Sequence, residues 1–164
     1  MKEIFILRHA KSSWDNTNLS DFERPLAKRG IKDAKKLNSF LIKNNLNIDK
    51  VYCSNAIRAK ETFDLTADGF KFPIENATYS DDLYFGDANN IINYLKNLDE
   101  KLNNILIIGH NPTLHVLVEL LTNTYIERFT TCNLAVISFK GQWKRLSSDK
   151  SSLKSLIRPK EIET

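Results

Sequence analysis

The chain has 164 residues, of which 41% are hydrophobic and 27% charged, and we expect one soluble globular domain over residues 1–164. Its net charge is +4, but the basic residues are scattered without a run of five like charges, which argues against a nucleic-acid partner. Cys53 and Cys132 lack the paired spacing of a metal site, and no apolar run is long enough for a signal peptide or a membrane span. We therefore expect a cytoplasmic monomer with no membrane partner.

Predicted strands and helices alternate along the chain. The apolar run Glu3–Leu7 is too short for a helix and predicts a buried strand, and the polar segment 11–26 predicts a long loop. The later elements are a helix over 27–43, a strand over 50–53, a helix over 55–67, a helix over 88–102, a strand over 105–108, a helix after Pro112, a strand over 134–139 and a last strand over 153–157. This order predicts an α/β fold, a three-layer α/β/α sandwich with a mostly parallel central sheet.

Several details of these elements are specific enough to be checked. Ile31 is expected on the apolar face of the first helix. Asn55 is expected to cap the second helix, and Asn111 with Pro112 reads as an N-cap followed by the first helical residue. Residues 69–86 show no clear period, because Gly, Pro and Asp interrupt it.

Polar clusters follow three of the predicted strands. They are Arg8-His9, the segment from Ser54 to Arg58, and Gly109-His110-Asn111. In open α/β sheets, ligands bind beyond the carboxyl ends of the strands. We therefore expect the three clusters to meet along one edge of the sheet.

The side chains in these clusters suit phosphoryl transfer, which needs a nucleophile and donors around the phosphoryl oxygens. A neutral imidazole is a capable nucleophile near pH 7, and neighbouring guanidinium groups would keep His9 in that form. Arg8 and Arg58 offer planar forks of donors. His110 precedes a helix start, where free N–H groups favour an anion.

The same segments carry a family resemblance. Arg8-His9-Ala10 resembles the Arg-His-Gly signature of histidine phosphatases, residues 54–62 (SNAIRAKET) resemble their S-x-x-x-R-A-x-x-T segment, and residues 109–112 (GHNP) resemble their G-H-N motif. Residues 20–26 (SDFERPL) are similar to the short SixA-type branch, phosphohistidine phosphatases that act on phosphorelay proteins. The resemblance implies a phosphoglycerate mutase-like fold and a phosphatase that needs neither metal nor cofactor. The expected partner is a phosphorylated protein or a small phosphorylated substrate.

The resemblance also implies a role for each matching residue. His9 would accept the phosphoryl group covalently, and Arg8, Arg58 and His110 would surround it. Contacts to the substrate would come from Asp21, Arg24, Ser54 and Asn111. Thr62, one helical turn after Arg58, would orient the Arg58 side chain.

Two departures from the family pattern matter. Ala10 replaces the usual Gly after the histidine, so the backbone there must avoid Gly-only angles. Many members also carry a glutamate general acid in mid-chain, and here the nearby candidates are Asp81, Asp82 and Asp87. A sugar or serine phosphate needs such an acid, which contributes about 10²–10⁴-fold. Phosphohistidine leaves as imidazole, whose conjugate acid has a pKa of about 6.5, so a missing acid favours a P–N substrate.

Other functions are weighed against this one. A Cys-dependent phosphatase is rejected because four residues, and not five, separate Cys53 from Arg58. A small-molecule phosphomonoesterase or mutase-like enzyme of the same superfamily stays open, as does a phosphate-binding module without turnover. His115 lies five residues after His110, which is not the spacing of a helical metal pair, and is expected to be structural.

Overall fold

The computed structural model describes residues 1–163, in which helices and strands alternate over most of the chain. The strands are β1 (Lys2–Arg8), β2 (Lys50–Ser54), β3 (Thr78–Ser80), β4 (Asn104–Gly109), β5 (Leu134–Phe139) and β6 (Ser151–Ile157). The α-helices are α1 (Lys28–Asn44), α2 (Ile57–Phe70), α3 (Asp82–Phe85), α4 (Ala88–Lys96) and α5 (Thr113–Thr122). Short 3₁₀ turns include Asp21–Glu23 and Pro159–Glu161.

The strands form one sheet in the order β3-β2-β4-β1-β5-β6. The first four in that order are parallel, and β5 joins β1 in the antiparallel sense, with β6 antiparallel to β5. The predicted, mostly parallel sheet is therefore confirmed. Because β5 runs against β1, it begins at the edge where β1 ends, and β6 ends at the same edge.

Side chains alternate across the sheet and build a core on each face. Ile4 and Ile6 of β1 point into the cluster that contains α4 and α5, whereas Phe5 and Leu7 point into the cluster that contains α1 and α2. This alternation is what a strand dictates, because successive side chains lie on opposite faces. With helices covering both faces, the three-layer α/β/α arrangement is confirmed.

The structure differs from the sequence prediction where local signals were weak. Helix α1 buries Ala34, Leu37 and Leu41, but Ile31 is exposed, so the prediction for Ile31 was wrong. Helix α4 ends at Lys96, six residues earlier than predicted. The segment 69–86, which shows no period, contains β3 and α3.

Two predicted helix caps were also wrong. Helix α2 begins at Ile57 after Ala56, and the Asn55 amide instead donates to the Asp81 carboxylate at 2.9 Å. Helix α5 begins at Thr113, and the Asn111 amide donates to the backbone carbonyl of Phe129 at 2.7 Å. In both cases a contact with a distant segment replaces the local cap. Within residues 1–163, no helix has the length and hydrophobicity needed to cross a membrane.

Candidate active site

The predicted convergence of the three polar clusters is confirmed at the carboxyl edge of the parallel strands. His9 follows β1, His110 follows β4, and Arg58 lies in the first turn of α2, directly after β2. The two imidazole centroids are 5.0 Å apart, and Arg58 Nε lies 3.4 Å from His9 Nε2. All three side chains are buried, with 6–8% of each residue exposed.

The hydrogen bonds of His9 define which ring nitrogen carries the proton. His9 Nδ1 lies 2.7 Å from the carbonyl oxygen of Ala10. Because a carbonyl oxygen only accepts, Nδ1 is the protonated nitrogen. Nε2 then has a free lone pair, and the Arg58 Nε–H donates to it at long range. The lone pair therefore faces the guanidinium side of the site.

The backbone around His9 is held from two sides. The His9 N–H donates to the Gly109 carbonyl at 3.1 Å, and the Ala10 N–H donates to Thr62 Oγ1 at 2.9 Å. Thr62 in turn donates its hydroxyl hydrogen to the Arg58 carbonyl at 2.7 Å. Thr62 thus links the backbone that follows β1 to that of α2. It was predicted to orient the Arg58 side chain, but both hydrogen bonds of its hydroxyl are with backbone groups.

Both histidines are neutral near pH 7. Burial lowers the pKa of His9 to about 3, and the nearby His110, Arg58 and Arg8 contribute in the same direction. Burial lowers the pKa of His110 to about 4, with Arg58 the largest charge contribution. Desolvation disfavours the imidazolium form, and positive neighbours disfavour it further.

Three buried polar atoms of the site have no hydrogen-bond partner within residues 1–163. They are Arg8 Nε, His110 Nδ1 and Asn111 Oδ1. The other ring nitrogen of His110 contacts Ser54 Oγ at 2.8 Å, and that oxygen also accepts from the Ala56 N–H. Ser54 keeps its hydroxyl hydrogen for His110 Nε2, and when it donates there the imidazole proton lies on Nδ1. Arg8 Nε and His110 Nδ1 are then two donors ready for an anion.

The Asp21 carboxylate holds three side chains around the mouth of the site. It accepts from Arg58 at 2.9 Å, from Arg24 at 2.9 Å and from the Tyr84 hydroxyl at 2.5 Å. The Asp21 backbone carbonyl accepts a second bond from Arg58, at 2.6 Å. These donors, Tyr84 first among them, hold the pKa of the Asp21 carboxyl far below its usual range. Asp21 is thus a fixed anion.

Sequence reasoning missed Tyr84, which lies in the segment without a clear period. Its ring meets the His110 ring edge-on at 5.3 Å, and the Arg58 guanidinium lies 5.8 Å from its centroid. On the other side of Asp21, the Arg24 guanidinium stacks 3.3 Å from the centroid of the exposed Trp14 ring. The adjacent aromatic residues of α3 were the available signal, but their contact with Asp21 depends on tertiary structure.

The structure gives the candidate acids other partners or an exposed position. Asp87 caps α4 by accepting from the Asn90 N–H at 3.0 Å, and Asp81 accepts from Asn55. Asp82 lies exposed in the first turn of α3.

Burial raises the pKa of the Cys53 thiol, which disfavours a thiolate nucleophile. His115 lies 2.8 Å from the Ile126 carbonyl, an anchoring contact outside the site.

The part of the chain that the structure describes contains no group of three or more His, Cys, Asp or Glu side chains that could hold a metal ion.

Comparison with known proteins identifies the family. The family described as histidine phosphatase superfamily (branch 1) matches residues 4–93, more than half of the chain. The chain belongs to the histidine phosphatase superfamily. An uncharacterized protein of Mycobacterium leprae is 31% identical over 94% of this chain and 100% of its own length. Phosphohistidine phosphatase SixA of Escherichia coli is 28% identical over 83% of this chain and 84% of its own.

This histidine phosphatase superfamily member also has close structural neighbours. The structure of the protein histidine phosphatase SixA complexed with tungstate aligns with a TM-score of 0.84, covering 98% of this chain and 99% of the other at 24% sequence identity. The similarity confirms the predicted phosphoglycerate mutase-like fold.

Proposed function

We propose that this chain is a metal-independent phosphohistidine phosphatase in which His9 Nε2 takes the phosphoryl group covalently. The observation that carries the proposal is the arrangement around that nitrogen. His9 is neutral, and its Nδ1 proton is engaged by Ala10. Two buried donors of the same site, Arg8 Nε and His110 Nδ1, have no partner among residues 1–163. Buried donors are costly to leave unpaired, and phosphoryl oxygens are acceptors that would pair them.

In the first step, the His9 Nε2 lone pair attacks phosphorus while the bond from phosphorus to the leaving nitrogen breaks. The new Nε2–P bond leaves His9 with its Nδ1 proton, and the Ala10 carbonyl at 2.7 Å accepts from it. Arg8, Arg58 and His110 would donate to the phosphoryl oxygens as charge redistributes. In the second step, water attacks phosphorus, the Nε2–P bond breaks, and phosphate and neutral His9 are released.

The leaving group decides between substrate classes. A phosphorylated imidazole that is protonated on its second nitrogen leaves as a neutral ring, and free imidazole, with a pKa of about 6.5, is a good leaving group. An alkoxide leaving group would need a general acid. Asp21, the carboxylate that contacts Arg58, has a pKa far below its usual range and therefore has no proton to donate. These points support a P–N substrate. The name of the E. coli relative, phosphohistidine phosphatase, points to the same class, and we propose a phosphohistidine carried on a protein.

The remaining predicted residues would act at different distances from the phosphoryl group. We propose that Asp21 and Arg24 act through Arg58, because the Asp21 carboxylate joins the two guanidinium groups. Each terminal nitrogen of Arg58 keeps a second hydrogen for a phosphoryl oxygen. Ser54 would act through the ring of His110. Asn111 would offer its buried Oδ1 as an acceptor to the substrate.

The proposal is tested by turnover of a phosphohistidine peptide, a chromogenic phosphate ester and 3-phosphoglycerate, and by trapping the intermediate. With ³²P-labelled substrate, the wild-type protein should carry a label that is stable in alkali and lost in acid. His9→Ala should abolish the label and turnover, whereas the matched control His115→Ala should keep both. Arg58→Ala should lower kcat by roughly 10²-fold or more. EDTA should have no effect.

Each part of the proposal would be contradicted by a different experimental result. If the His9→Ala variant retained the label or the turnover, His9 would be rejected as the nucleophile. Faster hydrolysis of the ester or of 3-phosphoglycerate than of the phosphohistidine peptide would reject the substrate class. No turnover of any of the three by the wild-type protein would favour a phosphate-binding module.

A further inference from the structure

A second cleft lies outside the site described above. It has a volume of about 390 Å³, within the usual range of ligand sites. Arg29 of α1, Thr130 and Asn133 of the loop before β5, and Arg158 and Lys160 at the end of β6 line it, together with Asp33. Its walls thus come from three separate segments of chain.

The loop that forms one wall of this cleft also supports the active site. The Arg8 side chain donates to the Phe129 carbonyl at 3.2 Å, and the Cys132 N–H donates to the carbonyls of Arg8 and His9 at 3.1 Å. The loop therefore contacts the active site through Phe129 and Cys132, and it lines the cleft through Thr130, Thr131 and Asn133. Both β5 and β6 meet this loop at the edge of the sheet where β1 ends.

The charge of the cleft is predominantly positive. Among the described residues that line it, Arg29, Arg158 and Lys160 are cationic and Asp33 is the carboxylate. Arg29 and Lys160 are exposed, whereas Arg158 is partly buried and held by the Arg128 carbonyl at 3.2 Å and by Glu161 at 3.4 Å. A guanidinium held in place, together with two exposed cations, suits recognition of carboxylates.

We propose that this basic cleft binds an acidic segment of the phosphoprotein substrate while its phosphohistidine occupies the active site. The inference rests on the proposed function and adds the substrate surface that the enzyme recognises. Arg8, Arg58 and His110, which would hold a small phosphorylated molecule, are not among the described residues that line the cleft. The cleft therefore contributes to turnover of a protein substrate and not to turnover of a small one.

The test compares two substrates and two pairs of charge reversals. The substrates are an acidic protein bearing one phosphohistidine and the small compound imidazole phosphate. The cleft variant is Arg29→Glu/Lys160→Glu. The control is Lys43→Glu/Lys144→Glu, which makes the same change in net charge at exposed positions at the far end of α1 and in the turn after β5.

We expect the cleft variant to lower kcat/KM for the acidic phosphoprotein at least about tenfold and to remove most of its dependence on salt. Its kcat/KM for imidazole phosphate should stay within about twofold of the wild-type value, and the control should match the wild type on both substrates. An unchanged kcat/KM for the phosphoprotein would overturn the proposal. An equal loss on both substrates would overturn it too, because the cleft would then act by shaping the active site.

Two further outcomes distinguish this proposal from a site for small molecules and from a failure of the proposed function. A small substrate with a second phosphate is assayed in addition, and a loss confined to it would show that the cleft takes a second anionic group of a small molecule, against the proposal. If the wild-type protein turns over neither phosphohistidine substrate, the proposed function itself fails, and this inference fails with it. That result differs from selective loss in the variant, because it concerns the unaltered protein.

Discussion

Lowering the pH tests the electrostatic description of the site directly. At pH 5, an imidazole with the ordinary pKa of about 6.5 would be only about 3% neutral, and a nucleophile of that kind would lose about 30-fold of its activity. Burial lowers the pKa of His9 to about 3 and that of His110 to about 4. Both rings should therefore stay at least about nine-tenths neutral at pH 5.

The protonation of His9 and His110 can be followed by NMR, because the chain has few histidines. The chain has three, so the imidazole ¹H–¹³C signals can be assigned from His9→Gln and His110→Gln and followed from pH 7.5 to 5. We expect the shifts of His9 and His110 to be nearly constant over this range. In parallel, kcat/KM should lack an acid limb with a midpoint near 6.5. A titration of either ring with a midpoint near 6.5 would refute the reasoning.

The lowered pKa values of His9 and His110 also make the free energy of unfolding depend on pH. The unfolded chain binds a proton at each histidine below about pH 6.5, whereas the folded chain binds them only near pH 4 and 3. The unfolded state therefore holds more protons in this window, and the free energy of unfolding falls as the pH falls. Each histidine contributes about 1.4 kcal/mol per pH unit. His9→Gln should remove one such contribution, measured by urea denaturation at pH 6 and 5.

Three substitutions around the phosphoryl site give further predictions. Asp21→Asn should lower kcat about 10- to 100-fold, because Arg58 loses its carboxylate partner, and Asp21→Glu should recover part of the loss in the same assay. Tyr84→Phe removes the hydroxyl that donates to Asp21 and should lower kcat about two- to tenfold, with the free energy of unfolding reduced by about 1 kcal/mol. Ser54→Ala should reduce kcat by about tenfold and leave KM nearly unchanged, because the His110 ring loses its orienting partner; an unchanged kcat would contradict that role.

The fold could be predicted to a large extent because its main signals are local. The strand β1 is a continuous apolar run, and the alternation of such runs with helical patterns indicates a layered α/β arrangement. The errors occur where a distant partner prevailed over a local preference. Asn55 donates to Asp81 and Asn111 to the Phe129 carbonyl, so neither caps the helix that follows it. A single sequence does not show such long-range contacts.

The convergence of His9, Arg58 and His110 could be predicted because each follows a strand of one parallel sheet. Other features of the site depend on tertiary contacts. The identity of the free ring nitrogen of His9 depends on the Ala10 carbonyl, and the place of Tyr84 depends on α3, which has only four residues. The sequence of residues 69–86 shows no period that would have revealed that helix.

The charge around His9 explains how a carboxylate, Asp21, can belong in the proposed anion-binding site. Arg8, Arg24 and Arg58 bring three positive charges to the site, and with both histidines neutral the Asp21 carboxylate reduces the total to two. A phosphoryl group carries about −1.5 to −2 at neutral pH, so this balance matches the group that the proposed reaction transfers. A carboxylate that holds two guanidinium groups in place also removes the cost of orienting Arg58 when substrate arrives. In the proposed function, Asp21 would therefore contribute to anion binding by fixing the cations that bind the anion, although its own charge repels that anion.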